Sequence, residues 1–150
     1  MLMISATTET PLSVANDLRP VLMRLARELR KETGEFGITG RQATLLWLVK
    51  GSPGLTLRAL ADEDRISPPA LSGHVDRLER AGLLVRVRST VDRRRVGLEL
   101  TPEGERLLRS VRERRTAWLA ERLDGLEQAD LAKIEAAIGP LLQLLVAESP

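Results

Sequence analysis

The side chains best placed to do chemistry in this chain are arginines. Residues 77–95 hold Arg77, Arg80, Arg86, Arg88, Arg93, Arg94 and Arg95 against only Glu79 and Asp92. That stretch is +5 within a chain of net charge +2, which leaves −3 for the remainder. A basic block on a mildly acidic body is the electrostatic footprint of a polyanion binder; a solvated basic loop is the plainer alternative. A guanidinium offers a planar fork that matches phosphates and base edges. Other chemistries lack their parts. The 150 residues include no cysteine and one histidine, which excludes a disulfide framework, a cysteine nucleophile and a thiol redox switch and argues against a structural zinc site. No nucleophile–base pair, metal cluster or phosphate-cradling glycine loop stands out, so no catalytic residue, cofactor or metal is expected. Asp62 and Asp64 read as surface charges beside a turn.

The elements around the arginines follow from periodicity and punctuation. Apolar residues from Val14 to Leu29 recur at helical spacing, predicting a helix over Leu12 to Thr33 with a kink at Pro20. Thr39 with Gln42 three residues on forms a capping-box pattern and opens a second helix. Thr56 caps a short helix over Leu57 to Glu63. Ser67 caps the next, with Pro68 in its first turn, and Gly82 ends it. The period then changes to two. Val85 and Val87 alternate with Arg86 and Arg88, and Val96, Leu98 and Leu100 alternate with Gly97 and Glu99. This predicts a hairpin with an apolar inner face and a polar, basic tip over 89–95. Thr101-Pro102-Glu103 opens a long helix. A last helix carries Leu131, Ile134, Ile138, Leu141 and Leu145 at heptad-like steps.

In that order, the elements predict a mainly α fold with a small β-hairpin wing (α+β): a winged helix-turn-helix over 39–101, flanked by dimerisation helices over 12–33 and 102–147. The helix after Ser67 keeps Leu71, Val75 and Leu78 for the core. It offers Ser67, Pro69, Ser72, Gly73 and Arg77 to a major groove about 12 Å wide. In the hairpin, Arg86, Arg88, Arg93, Arg94 and Arg95 can reach phosphates, and one tip arginine can enter a minor groove. Asp92 reads as a brace for a neighbouring arginine, or as a plain turn residue. Double-stranded DNA is therefore the expected partner, with a homodimer formed through the Leu131–Leu145 stripe. A protein-interaction module with an acidic partner is the alternative. The chain is 43% hydrophobic, yet it has no apolar run long enough to span a membrane. It also has no signal-peptide pattern, so the expected compartment is the cytoplasm.

The stretch from Leu57 to Leu108 resembles the core of MarR-family regulators. The resemblance is carried by "VDRLERAGLLVR", the Asp-x-Arg of Asp92 and Arg94, and "LTPEG" at Leu100 to Gly104. It covers most of a single 1–150 chain and implies a triangular homodimer on a palindromic operator, commonly a repressor released by small aromatic or phenolic compounds. Gly73 stands where relatives often carry a larger polar or basic side chain. An apolar effector site is expected between the dimerisation helices and the DNA-binding lobe. Its candidate lining is Met23, Phe36, Trp47 and His74, although each of these also reads as a core residue.

Overall fold

In a computed structural model, residues 9–146 are described. Ten elements follow one another. They are α1 (Pro11–Lys31), a 3-10 turn (Gly34–Phe36), α2 (Gly40–Gly51), β1 (Leu55–Thr56), α3 (Leu57–Asp64), α4 (Pro68–Arg80), β2 (Leu84–Arg88), β3 (Val96–Leu100), α5 (Pro102–Asp124) and α6 (Gln128–Val146). The chain divides into two compact units at Arg115/Thr116, within α5.

Local caps set most of these boundaries. The Thr39 hydroxyl accepts from the Gln42 amide while the Gln42 side chain accepts from the Thr39 amide, closing the capping box at the start of α2. Thr10 and Thr56 cap α1 and α3 in the same one-sided manner. Ser67 occupies the N-cap position of α4 but makes no side-chain capping bond, contrary to the cap its sequence position suggests. The helix gains its first turn from Pro68 instead, whose fixed φ suits that position. α1 continues through Pro20, and α6 through Pro140.

The first unit is built on a core of Leu45, Leu46 and Val49 from α2, Leu60 from α3, Leu71, Val75 and Leu78 from α4, Leu84 and Leu98 from the sheet, and Leu108 from α5. Each buried leucine or valine stabilises by about 1.5–3 kcal/mol. The sheet is three-stranded and antiparallel in the order β1-β3-β2, one strand more than the hairpin read from sequence. The missed strand, β1, is only two residues long, too short to show a period. Its register sets Leu55 against Leu98 and Thr56 against Gly97. The chain passes so close there that a Cβ at residue 97 would run into the Gly54 carbonyl. The phase of β2 also differs from expectation. Leu84 is buried and Arg86 half-buried, whereas Val85 and Val87 are 41% and 37% exposed. The inward face of this strand is therefore set by Leu84 and Arg86, not by the two valines.

α1 buries none of its residues, and Leu12, Val14, Val21, Leu22, Met23 and Leu25 are all exposed. In the second unit, α6 likewise buries none; Ile134, Ile138 and Leu145 are exposed, and Leu131 and Leu141 half-buried. Among the described residues no helix is long and apolar enough to cross a membrane.

Candidate nucleic-acid interface

The short helix α3 ends at Arg65, which takes a left-handed conformation (φ 51°, ψ 43°) and turns the chain sharply into α4. This is the tight turn of a helix-turn-helix. α4 presents two faces. Leu71, Val75 and Leu78 are buried, while Ser67, Pro68, Pro69, Ala70 and Arg77 are exposed and Ser72 and Gly73 half-buried. Nothing lies within 4 Å of the point where a Gly73 Cβ would stand, so α4 is slim at this position and leaves room for a groove wall. The uncapped Ser67 hydroxyl and the first-turn amides form a positive helix end suited to a phosphate.

The wing tip is held by its own hydrogen bonds. The Ser89 hydroxyl accepts from the Val91 and Asp92 amides at 3.2 Å each. The Asp92 carboxylate accepts from the Arg94 amide at 3.0 Å, and the Arg95 amide donates to the Asp92 carbonyl. Asp92 thus shapes the turn through the Arg94 backbone. Among the described residues its only side-chain ion pair is a loose one with Arg95 at 3.8 Å. Arg88, Arg93 and Arg94 have no carboxylate partner among the described residues and are exposed. Unneutralised arginines on a preorganised loop are ready to meet phosphate with little ordering cost.

Arg86 is placed differently. Its guanidinium donates to Asp76 at 2.7 Å and to Glu79, both on α4. The hydrogen bond to Asp76 contributes most to raising the Arg86 pKa above its ordinary value, against the opposing effect of burial. Arg86 therefore ties the wing to the recognition helix and fixes the angle between them. Thr101 does the same at the wing's other end: its hydroxyl donates to the Gly82 carbonyl and accepts from the Gly104 amide. A Cβ at Gly104 would overlap the Leu83 carbonyl oxygen, which explains the glycine of "LTPEG".

One residue of this surface escapes the sequence reading. Arg58, in the first turn of α3, lines a groove with Thr56, Asp62, Arg94 and Arg95, and a second, apolar one with Pro68, Leu71 and Ser72. It stands between the wing and the start of α4. Only the folded arrangement brings it there, because Arg58 and Arg94 are 36 positions apart.

The four residues expected to line an effector site differ in burial. Phe36 and Trp47 are partly buried against the core, and Met23 is 62% exposed on α1. His74 is half-buried, and its Nδ1 is buried without a hydrogen-bond partner among the described residues. No group of three or more His, Cys, Asp or Glu able to hold a metal occurs among the described residues.

A helix-turn-helix, a basic wing locked to its second helix and a preorganised arginine tip define a winged-helix DNA-binding transcriptional regulator. The MarR-family profile matches residues 36–95. An uncharacterized HTH-type transcriptional regulator of Mycobacterium bovis is 31% identical over 91% of this chain and 95% of its own. The HTH-type transcriptional regulator FarR of Neisseria gonorrhoeae is 34% identical over 76% of this chain and 85% of its own. A solved structure of a putative transcriptional regulator from Pseudomonas aeruginosa superposes with a TM-score of 0.76 at 29% identity, covering 93% of this chain and 96% of that one. The chain belongs to the MarR family.

Proposed function

We propose that two copies of this chain bind a palindromic DNA operator in the cytoplasm and repress the adjoining gene until a small aromatic ligand releases them. The observation that carries the DNA reading is the unpaired arginine pair Arg93 and Arg94 on a hydrogen-bonded tip, beside a recognition helix whose outer face is free. Ser72 and Gly73 face the bases, Ser67, Pro69, Arg77 and Arg88 the backbone, and Arg58 bridges from α3. Arg86 acts through Asp76 and Glu79 as a positioning residue.

The dimer reading is supported separately in each unit, by the exposed apolar residues of α1 and by those of α6. Apolar patches of this kind on a folded chain mark protein contacts. The effector reading is supported by the family resemblance and by the unpartnered Nδ1 of His74, a polar atom that a ligand hydroxyl could satisfy. Footprinting on DNA flanking the protein's own gene tests the first claim. Protection of two half-sites about one helical turn apart is expected. Uniform, salt-sensitive coating of all DNA would leave only a nonspecific binder.

A further inference from the structure

The cleft between the end of α1 and the start of α2 is not part of the recognition helix or the wing. We propose that it binds a phosphate oxyanion. Four cations line it, Arg27, Arg30, Lys31 and Arg41, together with the backbone at Gly40 and one carboxylate, Asp64.

The cations are unequally neutralised. Arg41 donates to Asp64 at 2.9 Å, and Lys31 donates to Glu28 at 2.8 and 3.0 Å. Arg27 lies 3.9 Å from the same Glu28 carboxylate, the outer limit of an ion pair. Arg30 has no carboxylate partner among the described residues. Its aliphatic stem lies against the start of α2. The point where a Gly40 Cβ would stand is 3.0–3.2 Å from Arg30 Cδ, Cγ and Cβ, so the side chain's stem runs along the α2 backbone. Glycine at 40 keeps that path open.

A second unmatched cation stands near the first. Arg115 donates to the Leu29 carbonyl at 3.2 Å and to the Thr33 hydroxyl at 2.6 Å, both neutral acceptors. Burial lowers its pKa, and the charge of Arg30 lowers it further. Arg115 does not itself line the cleft, but its charge adds to the positive field around Arg30. The positive end of α2 opens into the same cleft and adds to that field. A phosphate with several acceptor oxygens suits converging guanidinium and ammonium donors better than an apolar ligand would. The Arg41–Asp64 bond ties the cleft to α3's last residue, three positions before Ser67. The phosphate can thus come from an operator flank or from a free molecule.

One variant, Arg27→Gln with Arg30→Gln, tests both sources, and Arg27→Lys with Arg30→Lys serves as the charge-retaining control. The first arm compares a minimal operator duplex with one extended by a helical turn, about ten base pairs, on each side. If the cleft takes DNA phosphates, the wild type binds the longer duplex more tightly and with a salt slope steeper by about 2 for two cations engaged. The Gln variant loses that increment and keeps its affinity for the short duplex. The second arm titrates inorganic phosphate into DNA-free protein while following the Gly40 and Arg41 amide resonances. Saturable shifts in the wild type and the Lys variant, absent in the Gln variant, would assign the site to a free phosphate. Circular dichroism confirms that both variants fold. A wild type with neither a length increment nor saturable shifts overturns the proposal. The phosphate arm stands even if operator recognition itself fails.

Discussion

In the proposed interface, base or phosphate contact by the wing rests most on Arg94. It is exposed, without a carboxylate partner, and its amide is held by Asp92. Arg94→Ala should leave the fold unchanged and weaken operator binding about tenfold, with a salt slope shallower by about 1. Fluorescence anisotropy across a salt series measures both, and an unchanged affinity would remove the tip from the interface. Asp92→Ala should act in the same direction by loosening the turn, since the carboxylate holds the Arg94 backbone rather than its side chain. Gly104 illustrates a different kind of necessity. Gly104→Ala forces a methyl group against the Leu83 carbonyl, and backbone cannot move aside as a flexible side chain can. A loss of about 3 kcal/mol in urea unfolding is expected, at the upper end of overpacking costs. A loss below 1 kcal/mol would mean that the α4–β2 turn and α5 are less tightly joined than the Thr101 bonds indicate.

At the level of elements, Arg86 is the joint between wing and recognition helix. Arg86→Met keeps much of the side chain's bulk but removes the bonds to Asp76 and Glu79. The expected result is a folded protein whose operator affinity falls about tenfold, or 1.4 kcal/mol. Its salt slope should match the wild type, because no phosphate contact has been lost. A slope shallower by about 1 would instead make Arg86 a direct DNA contact. This joint also shows where the sequence stops being legible. The caps at Thr39, Thr56 and Thr101 could be read in advance because each is closed by an amide three residues away. The phase of β2 could not. Val85 and Val87 look like an inner face by composition, but the carboxylates of Asp76 and Glu79 on α4 draw Arg86 inward. That choice rests on partners in another element. Arg58 is a similar case: nothing near it in sequence signals DNA contact, and only the packing of α3 beside the wing places it next to Arg94 and Arg95. Strand β1, at two residues, is too short to show a period in the sequence.

At the scale of the whole molecule, the proposed function requires a pair of chains on one duplex. α1 and α6 each expose an apolar stripe that an isolated chain would leave to water. Ile138→Glu, at a position 54% exposed, should therefore not unfold the first unit. It should weaken self-association and, by halving the number of joined recognition helices, weaken operator binding too. Sedimentation velocity at micromolar concentration checks this, and a wild type that sediments as a monomer would contradict the pairing. DNA binding itself is tested most directly by one competition experiment. Protein is titrated into labelled DNA from the region flanking its own gene, at fixed moderate salt, with and without excess random duplex. The expected result is binding at two chains per duplex that survives competition, with a preference for the flanking DNA of at least about 10³-fold. Equal displacement by the random duplex, or binding indifferent to salt, would contradict recognition by the α4 face and the arginine tip.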